Sequence, residues 1–168
     1  MQTDKASLEI DGEPLWQRQV HLLESLAPDE LFVAGPPLEG CIAIADAQAE
    51  SGPLAGVVSG LRACSAPLLV VLAVDLPRMT NDYLCRLIAT CSETCGVVPE
   101  QQPVCAIYPK RVLAVAERCL AQGEYSMQRF AAESVDEGFV RQEKIAPTDE
   151  ALFVNLNTPE DLRALDDA

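Results

Sequence analysis

Apolar and polar positions change rhythm several times along the chain. Over residues 15–26, Leu15, Trp16, Val20, Leu22, Leu23 and Leu26 recur at helical spacing. They predict an amphipathic helix opened by the Asp11-Gly12-Glu13-Pro14 turn, with Pro14 at its start. Trp16 and His21 on this helix read as packing residues. Pro28 and Asp29 end it, and two short strands follow at 31–34 and 41–45, separated by a Gly-Pro-Pro loop and closed by Asp46. After a loop at 47–51 comes Gly52-Pro53-Leu54-Ala55-Gly56, where a glycine lets the backbone approach a ligand and Pro53 starts a helix running to about Cys64.

The rhythm then changes to a run without alternation. Residues 67–77 read PLLVVLAVDLP, and six consecutive apolar residues, 68–73, predict a strand buried on both faces of a sheet. The run stops at one carboxylate, Asp75. Ligands in an open α/β sheet sit outside the carboxyl ends of the strands, so Asp75 is placed to hold a metal ion at a ligand phosphate. It is equally placed to cap the next helix. That helix begins after Thr80 or Asn81. Further on, strands are predicted at 96–99 and 104–108 around Gln101-Gln102-Pro103, and a helix at 110–121 ends at Gly123. A second helix covers 126–132, with strands at 137–143 and 152–154. Thr158, Pro159, Glu160 and Asp161 open a terminal helix, with threonine as cap and acids in the first turn. Strand, loop, helix, strand is the order of parallel α/β units.

Composition narrows the class. The 168 residues suffice for one domain, and 49% apolar content marks a globular chain. The longest apolar run, about nine residues, is too short to span a bilayer. The polar, acidic first residues do not read as a signal peptide, so a soluble, cytoplasmic protein is expected. A net charge of −14 argues against a nucleic-acid binder, which needs a cationic face. It leaves room for a nucleotide, which one lysine, a magnesium ion and backbone amides can serve. Seven scattered cysteines without a CxxC pair read as buried free thiols in a reducing compartment, and one histidine gives no zinc set.

Four polar points thus fall at strand ends or loops of the first half: Lys5, Asp46, the GPLAG segment and Asp75. A parallel sheet brings such points to one edge. Together with NLNTPEDL, residues 155–162, they form a specific combination. On the segments DKASLEIDGEPLWQ, GPLAG, LLVVLAVDLP, QPVCAIYPK and FVNLNTPEDL, nearly the whole chain resembles the molybdenum cofactor guanylyltransferases within the MobA-like nucleotidyltransferases.

The resemblance implies a single domain over 1–168, a Rossmann-like three-layer α/β sandwich of the nucleotide-diphospho-sugar transferase type, with a mostly parallel central sheet. It implies transfer of GMP from GTP to molybdopterin with release of pyrophosphate. Asp75 would bind Mg²⁺, and Lys5 would neutralise the triphosphate. Asp46 and the backbone of Gly52, Pro53, Leu54 and Gly56 would hold the nucleotide, and Asn155 and Asn157 would face the pterin. Transient contact with molybdoenzyme chaperones is also implied. A cytidylyltransferase on the same scaffold and a non-catalytic nucleotide-binding relative are the alternatives.

One departure stands out. The family opens with a strand and a glycine-rich loop directly before the Asp-Lys pair, whereas Asp4-Lys5 here follow only Met1-Gln2-Thr3. Roughly 15 to 20 residues separate the two patterns, from usual strand and loop lengths. The expectation is a longer native protein. This 168-residue chain would then be unstable and nearly inactive, with two strands lacking partners.

Overall fold

The computed structural model describes residues 9–10, 12–35, 41–45 and 52–155. A short antiparallel pair, β1 (Glu9–Ile10) and β2 (Glu13–Pro14), turns through Gly12, whose φ of +79° lies in the region that favours glycine. Helix α1 (Leu15–Glu24) follows directly, with Pro14 as its N-terminal flank at φ −58°. Strands β3 (Phe32–Ala34) and β4 (Ile42–Ile44) pair in parallel, Val33 opposite Ala43. The helix α2 (Gly52–Ala63) is buried continuously from Leu54 to Leu61. A helix apolar all round belongs in the interior, and α2 lies beneath both strand groups. A Cβ on Gly60 would stand 3.1 Å from Leu69 Cδ2 and 3.9 Å from Ile44 Cδ1.

The remaining elements build a four-stranded sheet with helices on both faces. They are β5 (Leu68–Leu72), α3 (Asn81–Ala89), β6 (Gly96–Pro99) and β7 (Cys105–Pro109). A 3₁₀ turn (Lys110–Val112) leads into α4 (Leu113–Ala121), α5 (Met127–Asp136) and β8 (Val140–Glu143), and a last 3₁₀ turn covers Glu150–Phe153. The spatial order is β5-β7-β6-β8. Strand β7 runs antiparallel to both neighbours, whereas β8 is parallel to β6. Three of the four strands therefore point the same way and β7 alone is reversed. Added to the parallel β3/β4 pair, this is the mostly parallel α/β sheet that the sequence pattern implies.

Period-two alternation assigns the side chains to two cores. Val98, Ala106 and Tyr108 pack with α2, α4 and α5 on one face; Val97, Cys105 and Ile107 pack with Leu76, Tyr83, Leu84 and Leu87 on the other. Both aromatic anchors are paired. Tyr108 lies 4.9 Å from Phe130, and Tyr83 meets Phe153 edge-on at 5.3 Å. The Tyr108 hydroxyl, fully buried, donates to Pro103 O at 2.8 Å.

Several expectations change in detail. Strand β5 does touch both cores, Leu69 and Val71 on one face and Leu68, Val70 and Leu72 on the other. Each of its residues is nevertheless only half-buried. Among the described residues β5 pairs with β7 alone and β3 with β4 alone, so one lateral edge of each is open. The strand predicted over 137–143 starts only at Val140, because Glu137 caps α5 and Gly138 turns the chain at φ +72°. The predicted strand at 152–154 is instead the 3₁₀ turn, in which Phe153 is drawn into the core beside Tyr83. Helix α5 runs to Asp136, four residues beyond the expected end, with Ser126 Oγ accepting from Arg129 N. The expected helix from Thr158 lies outside the described residues. No helix among the described residues is long and apolar enough to cross a membrane. All seven cysteines are free.

Two predictions follow from this packing. A Cβ at Gly96 would stand 2.0 Å from the Ile107 carbonyl oxygen. Gly96→Ala should thus cost about 3 kcal/mol, the upper end for overpacking, against about 1 kcal/mol for Gly123→Ala in open space; urea melts of both variants check this. Burial pushes the Cys105 thiol from 9.0 up to about 12. A folded-state value raised in this way adds stability below pH 9 that is lost as pH rises towards 12. At pH 8 a disulfide reagent should label exposed Cys85 on mixing and leave Cys105 unlabelled until the protein unfolds.

Candidate active site

Because β5, β6 and β8 share a direction, their carboxyl ends meet at one edge of the sheet. Residues 73–77 leave β5 there, beside the β6–β7 loop. The ladder continues one step beyond the strand, with Ala73 N donating to Val104 O at 2.8 Å. In the same loop Gln101 takes a φ of +61°, and Gln128 Nε2 secures its carbonyl at 2.9 Å. Such a conformation in a residue other than glycine persists only when its surroundings enforce it.

A cavity of about 470 Å³ opens at this edge and runs along the free side of β5. Its walls join the ends of β3 and β4 (Ala34, Ile44), the exit of β5 (Ala73, Val74) and the first turn of α2. Gly52, Pro53 and Gly56 line it, whereas Leu54 is fully buried in the core and does not. The first N–H groups of a helix have no partner within it and carry partial positive charge. At the start of α2, Gly52 and Pro53 border one end of this cavity, whose other walls are mostly apolar side chains of α1, β3 and β5. Gly52, at φ +63°, supplies the left-handed backbone with which the chain enters the helix.

Asp75 stands one residue beyond Val74 in the turn after β5. It is half-exposed, and among the described residues its carboxylate makes no hydrogen bond or ion pair. The capping role belongs to Thr80, whose Oγ1 accepts from Tyr83 N at 3.3 Å. Asp75 is thus free for a ligand. No cluster of three or more metal-ligating side chains occurs among the described residues. A lone carboxylate suits a hard cation that keeps its waters and takes other oxygens from a phosphate substrate. Asn155 is exposed, two residues past the last 3₁₀ turn, and does not line the cavity. Lys5, Asp46 and Asn157 lie outside the described residues.

Two residues of α1 were passed over in the sequence. Arg18 Nε donates to Pro77 O at 3.2 Å, and Gln19 Nε2 donates to Leu76 O at 2.7 Å. Gln19 is buried at 4% exposure, one helical turn from Leu15. The signal was available: Gln19 is a polar residue at a stripe position, i+4 from Leu15.

A mixed α/β sheet with a helix N-terminus and a carboxylate turn at its carboxyl edge places the chain in the nucleotidyltransferase fold class, and open α/β sheets take their ligands outside the strand ends. The molybdopterin-guanine dinucleotide biosynthesis protein A of Archaeoglobus fulgidus shares the fold at a TM-score of 0.75, 21% identical, over 98% of this chain and 90% of that one. The 2-C-methyl-D-erythritol 4-phosphate cytidylyltransferase of Thermus thermophilus shares it at 0.73, 15% identical, over 98% and 94%. The profile of the MobA-like NTP transferase domain matches residues 1–138, and the chain belongs to that family. Among its relatives, the probable molybdenum cofactor guanylyltransferase of Opitutus terrae is 34% identical over 96% of this chain and 86% of its own length. The molybdenum cofactor guanylyltransferase of Pseudomonas putida is 31% identical over 94% and 85%.

The free carboxylate and the cap should separate cleanly in stability. Thr80→Ala should lose about 1 kcal/mol, the usual worth of an N-cap. Asp75→Asn should leave the thermal midpoint within a degree or so, since no contact is lost. Thermal melts in metal-free buffer measure both.

Proposed function

We propose that the protein is a molybdenum cofactor guanylyltransferase, which joins GTP to molybdopterin and releases pyrophosphate. The observation that carries this reading is the convergence of the GPLAG helix start and the exit of β5 on one cavity, with Asp75 uncommitted beside it. The relatives that bear that activity in their names align over nearly the whole chain.

In this reading the molybdopterin phosphate oxygen attacks the α-phosphorus of GTP. A new P–O bond forms as the bond to the β-phosphate bridging oxygen breaks, and the electron pair leaves with pyrophosphate. No protein nucleophile is required, so the chain's work is positioning and charge neutralisation. The backbone at the start of α2, from Gly52 to Gly56, holds the nucleotide with Asp46, and Lys5 neutralises the triphosphate. Asp75 anchors Mg²⁺, which when bound supplies Lewis-acid stabilisation of the phosphate charge. Asn155 and Asn157 face the pterin. The reaction belongs to the cytoplasm, in keeping with seven free thiols.

Whatever guanylyl transfer to molybdopterin the protein shows with GTP and Mg²⁺ should be abolished by chelation of the metal. Asp75→Asn should lower the rate by at least about a hundredfold, as removal of one electrostatic contact to the reacting group does. Transfer by Asp75→Asn at the wild-type rate would remove Asp75 from the metal site. A preference for CTP over GTP would move the protein to the cytidylyl branch.

A further inference from the structure

The turn that carries Asp75 is held from outside by α1, and the contacts are side-chain donors on backbone oxygens. Gln19 Nε2 reaches Leu76 O at 2.7 Å, and Arg18 Nε reaches Pro77 O at 3.2 Å, across 57 and 59 residues of sequence. Leu76 O also accepts Met79 N at 3.1 Å, so one carbonyl closes the turn and receives the clamp. Leu76 itself is fully buried, which fixes the far side of the same peptide. The residue just before Leu76 is Asp75. Its carboxylate is thus set by a backbone pinned from α1, and two neighbouring residues of one helix serve two successive carbonyls.

Gln19 carries a second observation. Its carboxamide oxygen, Oε1, is buried and has no hydrogen-bond partner among the described residues, and Gln19 is one of the residues lining the cavity at the edge of the sheet. A buried acceptor without a donor is costly to keep. Keeping a glutamine here in spite of that cost marks the bond to Leu76 O as one that an apolar side chain could not replace.

We propose that Gln19 and Arg18 are the positioning residues of the metal-binding turn: their N–H donors fix the Leu76 and Pro77 carbonyls and so hold the Asp75 carboxylate where the hydrated cation takes it. This rests on the reading of Asp75 given under Proposed function. Outer contacts of this kind orient the ligand that touches the metal, and their loss typically weakens metal affinity by 10–100-fold.

The test compares the wild-type 168-residue chain with Gln19→Met, which keeps length and volume, and with Arg18→Met. Two readouts serve: amide exchange of the ligand-free protein, followed at Met79 and across β6 and β7, and the Mg²⁺ midpoint for binding a fluorescent GTP analogue. Gln19→Met should speed exchange at Met79 while the β6 and β7 amides keep their rates, and should raise the Mg²⁺ midpoint by about tenfold, the lower end for such contacts. The analogue's affinity at saturating Mg²⁺ should stay within about twofold, since the nucleotide contacts are untouched. Arg18→Met, removing the longer and less buried bond, should shift both readouts in the same direction and by less. Unchanged exchange at Met79 overturns the clamp, and so does exchange that rises equally through the sheet, the mark of general destabilisation. Faster exchange with an unchanged Mg²⁺ midpoint overturns the metal-positioning role. A wild-type chain whose GTP binding ignores Mg²⁺ overturns the reading of Asp75 itself, a result distinguishable because it needs no variant.

Discussion

The reversed strand β7 is the constraint on which the molecule turns. It is buried at every position from Cys105 to Pro109 and pairs on both sides, with Leu72 opposite Cys105 and Val97 opposite Ile107. Buried peptide groups must find partners, so β5 and β6 can only settle in the registers that β7 offers. Since both run antiparallel to β7, they run parallel to each other, and β8 follows β6. One reversed strand thereby aligns three carboxyl ends on one edge. Close packing enforces the arrangement, for at Gly96 even a methyl group would collide with the Ile107 carbonyl.

Much of this was legible in the sequence because it is local. The apolar run at 68–73 announced a strand contacting two layers, and GPLAG announced a helix opened by Pro53. The helix expected after Thr80 or Asn81 is there, and Thr80 caps it. What was not legible depends on distant partners. Asp75 could not be separated from a capping role until Thr80 was seen to take it. Residues 152–154 look like a strand in isolation, yet the pull of Tyr83 on Phe153 bends them into a 3₁₀ turn. Gln19 was readable only as a blemish in an apolar stripe, since its partner lies 57 residues away.

The site divides in the same way. Helix start and carboxylate turn come from separate segments, and the structure brings one to the cavity wall and the other beside it. Leu54 belongs to the core and Asn155 stands apart from that cavity. Family membership, with relatives aligned across nearly the whole chain, gives this edge its chemical meaning.

The open edges of β3 and β5 carry a further consequence. Among the described residues each has a row of peptide groups with no strand beside it, facing an apolar groove. An exposed apolar edge is a template on which another extended chain can add. Against that stands a net charge of −14, which keeps identical molecules apart. Mutual repulsion of this kind is screened by salt, whereas backbone pairing is not. Where no other segment covers these edges, ionic strength therefore decides whether charge keeps two molecules apart or the edges draw them together.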